Sequence, residues 1–220
     1  SGCRNSLIPA NGILNAPNFA HGCSCSYNLF TSLALVHVPD AELWTYSAFA
    51  KRDVPVDRVG INLGAPGDRL DKSGTMWLDY PNVGGPSPDV TVQIFPRTPK
   101  YFRKHASQIQ GKGLAWVAAS GCEGMESLIV TTSKSKGDRK YKVRLYFAEP
   151  EAVEKGERVF DVILQGKTVL GKFDIIGESE ATDTMVIREF DTVVTDGRLQ
   201  LNLKSHAGAS LLSGIEIIAQ

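Results

Sequence analysis

The stretch Tyr141–Glu149 constrains this chain more than any other. Tyr141, Val143, Leu145 and Phe147 occupy every second position, with Lys142, Arg144 and Tyr146 between them. A period of two belongs to a strand with one face in a core and the other toward water. The pattern recurs down the chain. Val159 to Leu164, Gln165-Gly166 and Lys167 to Leu170 read as one hairpin. Val193-Val194, Thr195-Asp196-Gly197 and Leu199, Leu201, Leu203 read as another, closed by an Asp-Gly turn. Ile215 and Ile217 alternate after Gly214 and complete the set. No long helical period is present; one or two turns over Pro150–Lys155 are expected, with Pro150 suited to a first turn. Phe147 and Phe160 fall on core positions. Glu149 and Asp161, at strand ends beside Arg158, are expected to anchor loops through charge-assisted hydrogen bonds.

Charge narrows the partners. Lys+Arg and Asp+Glu balance at 24 each, so no net field draws the chain to nucleic acid or an anionic membrane. No apolar run approaches the ~20 residues that span a bilayer, so no membrane insertion is expected. Ser1-Gly2-Cys3-Arg4 has neither a start methionine nor an apolar leader, and the chain reads as a processed or excised piece. Cys3, Cys23 and Cys25 cluster near the start, and Cys122 stands alone. In an oxidising compartment Cys3 closes a disulfide to Cys23 or Cys25; sequence leaves the pairing open. A metal site using the same cysteines with His21 or His37 lacks the Cys-x-x-Cys spacing of structural zinc.

Tyr-Lys-Val-Arg-Leu-Tyr-Phe-Ala-Glu at Tyr141–Glu149, followed by Arg-Val-Phe-Asp-Val at Arg158–Val162, resembles the malectin and malectin-like domains. Further segments fit that family in order: Ile61-Asn62-Leu63-Gly64 as its opening strand, Gly74 to Tyr80, Phe173-Asp174-Ile175 as its Asp-Ile strand, Asp196 to Leu201, and Leu212 to Ile217. The resemblance implies an all-β fold, an antiparallel β-sandwich of galactose-binding-like jelly-roll type. It also implies loops at one end that present aromatics and an aspartate to carbohydrate.

The start differs in character. Cys3 to Tyr27 is rich in Gly, Pro, Asn and Ser, whereas Leu29 to Val38 is mostly apolar and reads as a buried strand. The string from Ser1 to Phe19, continuing through Cys23-Ser24-Cys25-Ser26-Tyr27 and Thr31 to His37, is similar to the closing segment of PQQ-like β-propellers. Those propellers occur in large exported bacterial proteins of planctomycete type, in which a malectin-like domain commonly follows. The implied location is secreted, periplasmic or cell-surface, with an upstream propeller or a protein partner as neighbour. The segment is too short to be a propeller, since one blade takes ~40–45 residues. The expected division is an irregular segment over 1–45 and a sandwich over 46–220.

Sugar recognition needs a flat apolar face for pyranose C–H groups and fixed hydrogen-bonding groups around it. Trp77, Asp79 and Tyr80 match the first family loop, and Tyr101, Phe102, Arg103, Trp116, Glu123 and His206 complete the candidate set. Trp77 and Trp116 also read as half-buried strand aromatics, Tyr101-Phe102-Arg103 as a loop packed over the sandwich, and His206 as a surface histidine. Two family features are replaced. Ser120-Gly121-Cys122-Glu123-Gly124 stands where an aromatic pair is expected, and Ser205 to Ser210 lacks the aspartate.

No catalytic constellation is present: neither a Gly-x-Ser-x-Gly elbow nor His-Glu-x-x-His occurs. Gly64 to Ser73 is no P-loop, because Asp71 stands where a glycine must precede Lys72. Asp68 and Asp71 in that loop are candidates for a structural calcium ion, and no other cofactor is expected. Glu149, Glu151, Glu154 and Glu157 share one polar excursion and read as a solvated face rather than a glycosidase pair. Lys134, Lys136, Arg139 and Lys140 surround a hairpin tip without the interleaved aromatics of a nucleic-acid site. Two readings follow. One is a non-catalytic carbohydrate-binding module of a larger exported protein; the other is a structural or protein-interaction sandwich, packed on its propeller or a partner, with no sugar ligand.

Overall fold

The computed structural model describes residues 7–17, 32–36, 41–45, 56–81, 90–133 and 136–220. The chain divides into two compact units, Ser1–Ala41 and Glu42–Gln220. The first contains a small antiparallel sheet, β1 (Ile8–Ala10), β2 (Ile13–Ala16) and β3 (Leu33–Val36), in that order. Asn11 (φ 52) and Gly12 (φ 74) form the two-residue turn that pairs Ala10 with Ile13, as an Asn-Gly dipeptide favours. The apolar run expected as a buried strand is a strand at Leu33–Val36, but an exposed one: Leu35 is 48% and Val36 62% exposed. Cys3, Cys23, Cys25, His21 and His37 lie outside the described residues.

The second unit runs β4 (Arg58–Leu63), β5 (Arg69–Leu70), β6 (Met76–Tyr80), β7 (Thr91–Phe95), β8 (Lys100–Arg103), a 3-10 turn (Ala106–Gln108) and α1 (Ala115–Ala118). It continues through β9 (Ser120–Glu123), β10 (Ser127–Thr131), β11 (Asp138–Phe147), β12 (Val159–Leu164), β13 (Lys167–Phe173) and α2 (Ile175–Ser179). It ends with β14 (Val186–Thr195), β15 (Arg198–Ala207), β16 (Leu211–Leu212) and β17 (Gly214–Ala219). A six-stranded sheet ordered β14-β11-β17-β4-β6-β5 packs on a five-stranded sheet ordered β13-β12-β15-β10-β7. A third sheet, β16-β9-β8, lies at one end. Among the described strands the pairings are antiparallel except β4 with β6. The molecule is the antiparallel β-sandwich that the alternation requires.

Its core is what the period of two dictates. Tyr141, Val143, Leu145 and Phe147 from β11 are at most 1% exposed, as are Phe160, Val162, Leu199 and Leu201 from the opposite sheet. Phe147, Phe160 and Phe173 form a ring cluster with centroids 4.8–6.2 Å apart. Of the two expected hairpins, β12–β13 is present, closed at Gln165-Gly166. The other is corrected: β14 pairs with β11 and β15 with β10 and β12, so Asp196-Gly197 carries the chain from one sheet to the other instead of closing a ladder. Both turns have left-handed backbone. Only glycine fits the second: a Cβ at Gly197 would lie 2.2 Å from the Ser133 carbonyl oxygen.

Two further local expectations are corrected. Pro150–Lys155 forms turns and bends, not a helix, because its backbone groups bond to side chains, near and far, in place of a helical ladder. The Pro150 carbonyl accepts from Lys104 Nζ (2.8 Å), and Glu151 N–H donates to Glu149 Oε1 (3.2 Å). The strand through Phe173-Asp174-Ile175 stops at Phe173. Asp174 caps α2, its Oδ1 accepting from Gly177 N–H at 3.0 Å.

Candidate functional site at the loop end

The end sheet is the scaffold of the site. Its register sets Lys100 opposite Glu123, Tyr101 opposite Cys122, Phe102 opposite Gly121 and Arg103 opposite Ser120. Strand alternation therefore separates Tyr101 from Phe102. Phe102 lies over Gly121, where a Cβ would come within 2.4 Å of the ring, so this glycine provides the floor for the aromatic. Tyr101 shares its environment with Cys122 and Tyr80. Burial pushes the Tyr101 phenol up, and Cys122 and Tyr80 add to that; Tyr80 is raised for the same first reason. The buried Cys122 thiol is pushed up to about 12 by desolvation and then by Glu123, so it stays protonated and unreactive. Tyr80, Tyr101 and Phe102 are half-buried, with their packed sides on the main core.

Charge lines the same end. Arg158 donates from Nε to Glu149 Oε2 at 2.6 Å and from Nη1 to the Ala209 carbonyl at 2.8 Å. Its Nη2 lies 3.5 Å from Glu151 and 4.0 Å from Glu123. Lys100 Nζ bridges Glu123 (3.3 Å) and Glu151 (2.9 Å). Glu149 is fully buried; desolvation raises its pKa, and the Arg158 hydrogen bond and charge oppose that. The expected loop-anchoring role of Glu149 is thus seen directly. Asp161 does the same elsewhere, accepting from Lys172 N–H (2.7 Å) and pairing with His206 Nε2 (2.9 Å). Glu123 is 7% exposed, and its Oε1 is buried without a hydrogen-bond partner among the described residues. A buried acceptor in that state is costly unless something donates to it.

The sequence-derived set does not converge on one surface. Tyr80, Tyr101, Phe102, Glu123 and, at the far end of β8, Arg103 belong to the loop end. Trp77 does not: it is fully buried on the outer face of the six-stranded sheet, so a stacking role for it is corrected. The reason is again the period of two, which turns Trp77 and Asp79 away from Tyr80. Trp77 lies across Gly60 and Gly214, with Nε1 donating to Asp71 Oδ2 at 3.1 Å. Asp79 is 4% exposed, its N–H donating to Asp68 Oδ1 at 2.9 Å, and it too is withdrawn from the surface. Trp116 is half-buried in α1, not in a strand, and packs edge-on against Trp77 at 5.7 Å. His206 sits with Asp161 on the outer face of the five-stranded sheet. Sequence reasoning missed Trp44 and Arg69: the Arg69 guanidinium lies 5.5 Å from the Trp44 ring centroid and 4.8 Å from that of Trp116.

The proposed calcium ligands are occupied by protein donors. Asp71 Oδ1 accepts from Ser73 N–H (2.8 Å), Ser73 Oγ (2.7 Å) and Thr75 N–H (2.9 Å). Burial would raise its pKa, but these bonds and that from Trp77 hold it below the usual carboxylate value. Among the described residues no group of three or more His, Cys, Asp or Glu is placed to hold a metal ion.

A β-sandwich with loops gathered at one end defines a class, and comparison sharpens it. The malectin domain model matches residues 127–216, the stretch from β10 into β17. A probable leucine-rich repeat receptor-like serine/threonine-protein kinase of Arabidopsis thaliana is 35% identical over 74 residues, covering 31% of this chain and 7% of the kinase. The extracellular domain of ANXUR2 from Arabidopsis thaliana superposes with a TM-score of 0.57 at 14% identity, over 73% of this chain and 48% of that one. A Bacteroides uniformis β-glucuronidase superposes with 0.59 at 16% identity, over 74% of this chain and 18% of the enzyme. At such identities the two structures share the fold alone. This chain spans under half of each of these relatives.

Proposed function

We propose that the second unit is a non-catalytic carbohydrate-binding module of a larger extracytoplasmic protein, with its ligand at the loop end. The observation that carries this reading is a buried carboxylate oxygen lacking a donor among the described residues, Glu123 Oε1, on the face of the end sheet that also carries Lys100 and the half-buried Phe102. The malectin match over residues 127–216 supports it. Aromatic faces take the apolar side of a sugar ring, and a hydroxyl donating to Glu123 Oε1 would relieve its desolvation. Lys100 and Arg158 supply further donors within the same network. A saccharide bound at exposed loops keeps much of its hydration, which favours weak affinity. The ANXUR2 domain is extracellular, and the same setting is proposed here. An upstream propeller as intramolecular neighbour rests on the resemblance of Ser1 to about Trp44.

The test is a glycan array spanning α- and β-glucans, fucans and sulfated glycans, followed by calorimetry with the best mono- or disaccharide. A bound saccharide whose affinity falls about tenfold or more, some 1.4 kcal/mol, in Phe102→Ala or Glu123→Gln supports the reading. Absence of binding across the array overturns it and leaves a protein-contact scaffold.

A further inference from the structure

The outer face of the five-stranded sheet presents a surface that the loop-end site does not use. Register places Phe95, Ser127, Asn202, Ile163 and Thr168 in one row across β7, β10, β15, β12 and β13. The next row carries Gln93, Ile129 and Gln200. Phe95 is 59% exposed, Gln93 and Gln200 are exposed, and Ile129, Asn202 and Ile163 are half-buried. The side chains of Gln93, Ser127, Gln200 and Asn202 make no hydrogen bond within the described residues. Beside Gln200 lies a shallow hollow of ≈ 530 Å³ lined by Ile129, Gln165, Gly166, Thr195, Arg198 and Gln200. Its wall is rigid: Gln165 Nε2 donates to the Val193 (3.3 Å) and Arg198 (3.2 Å) carbonyls, and Gln200 N–H donates to Gln165 Oε1 (2.6 Å).

From this grid we infer that the face binds an extended, neutral polysaccharide lying across the strands, at a site separate from the loop end. The argument is one of charge and shape. Charged residues make up 22% of the chain, yet neither central row carries one. The flanking rows carry Arg198 on one side, at the rim of the hollow, and the Asp161–Lys204 pair on the other. An acidic glycan, nucleic acid or anionic membrane thus meets mixed charge here and no array of cations. Amides and hydroxyls without a partner among the described residues offer donors and acceptors together, which suits sugar hydroxyls, and Phe95, Ile129 and Ile163 offer apolar area to sugar C–H groups. From β7 to β12 the strands span about 14 Å, at the usual spacing between neighbours, which is long enough for a chain rather than a single ring. The inference rests on the reading of this unit as a carbohydrate module but not on the loop-end site.

Affinity electrophoresis of the 220-residue chain in gels containing laminarin, hydroxyethylcellulose or xyloglucan tests it, with polygalacturonate and heparin as charged probes. At least one neutral polymer is expected to retard the protein. Gln93→Ala/Gln200→Ala, and separately Gln200→Glu, should weaken that retardation tenfold or more with circular dichroism and melting unchanged. Phe102→Ala should leave it intact. Retardation confined to the charged polymers, absence of retardation by any neutral one, or loss in Phe102→Ala but not in the face variants would each overturn the inference. The loop-end reading is judged separately, by its own mono- and disaccharide calorimetry.

Discussion

The two outer faces of this sandwich have opposite fates. On the six-stranded sheet, Trp77 is roofed by α1 and flanked by Trp116 and Tyr146, in a second apolar cluster with Val117, Ala118 and Met185. Charges on that face are also consumed internally. Glu216, 1% exposed, accepts from Thr75 Oγ1 (2.5 Å) and Arg144 Nη1 (3.2 Å), and Arg144 Nε reaches Glu189 at 2.6 Å. On the five-stranded sheet the central polar side chains are left to solvent. The aromatic-rich face is therefore the structural one, and the plainer face is the one free to meet something. Aromatic content alone points the wrong way.

The sharpest way to break that comparison is Trp77→Ala. Removing a fully buried indole should cost about 3–5 kcal/mol. Urea denaturation followed by circular dichroism measures this; a loss below about 1 kcal/mol would show that the covered face is dispensable. Arg158→Ala follows closely, at about 3–5 kcal/mol, because it leaves the buried Glu149 without its cation. Its deficit should shrink as pH falls and Glu149 takes a proton. Desolvation already raises that carboxyl, so its neutral form is favoured in the folded state, more so once Arg158 is gone.

Asp71→Asn tests the covered face by pH. The folded carboxyl of Asp71 lies below its ordinary value, so its contribution is present above about pH 4 and lost as pH falls through the folded value. In the variant an amide N–H confronts either the Trp77 N–H or the backbone donors of Ser73 and Thr75. The variant should be less stable at pH 7, and the gap should narrow by pH 3. A gap independent of pH would mean that the ionised carboxylate is not what matters.

Much of this was readable in the chain, and the failures share a cause. Strands such as Tyr141–Phe147 were legible because local alternation reports burial directly. So were the Gln165-Gly166 and Asp196-Gly197 turns, and Asn11-Gly12 carried the same signal unread. Trp77 was misjudged because its cover comes from residues 106–118, far along the chain, and its floor from Gly60 and Gly214. No local pattern announces such a lid. Arg69 between Trp44 and Trp116 was hidden for the same reason. Pro150 was favourable for a helix start, but Lys104, Lys100 and Arg158 hold that turn from three other segments. At the candidate site, sequence selected Tyr80, Tyr101, Phe102 and Glu123, whereas the partnerless Oε1 needed coordinates.

The smallest expected effect lies on the open face and is the most telling for the contrast. Gln93→Ala and Gln200→Ala remove exposed side chains that bond to nothing else described, so each should change stability by less than about 0.5 kcal/mol. They lie on separate strands flanking Ile129, and the pair should be close to additive. Urea midpoints for the two single variants and the double variant measure both quantities. A loss above about 1 kcal/mol, or strong coupling, would mean that these amides are part of the sheet's own packing. The two faces would then be alike in being structural, and their contrast would not mark a contact surface.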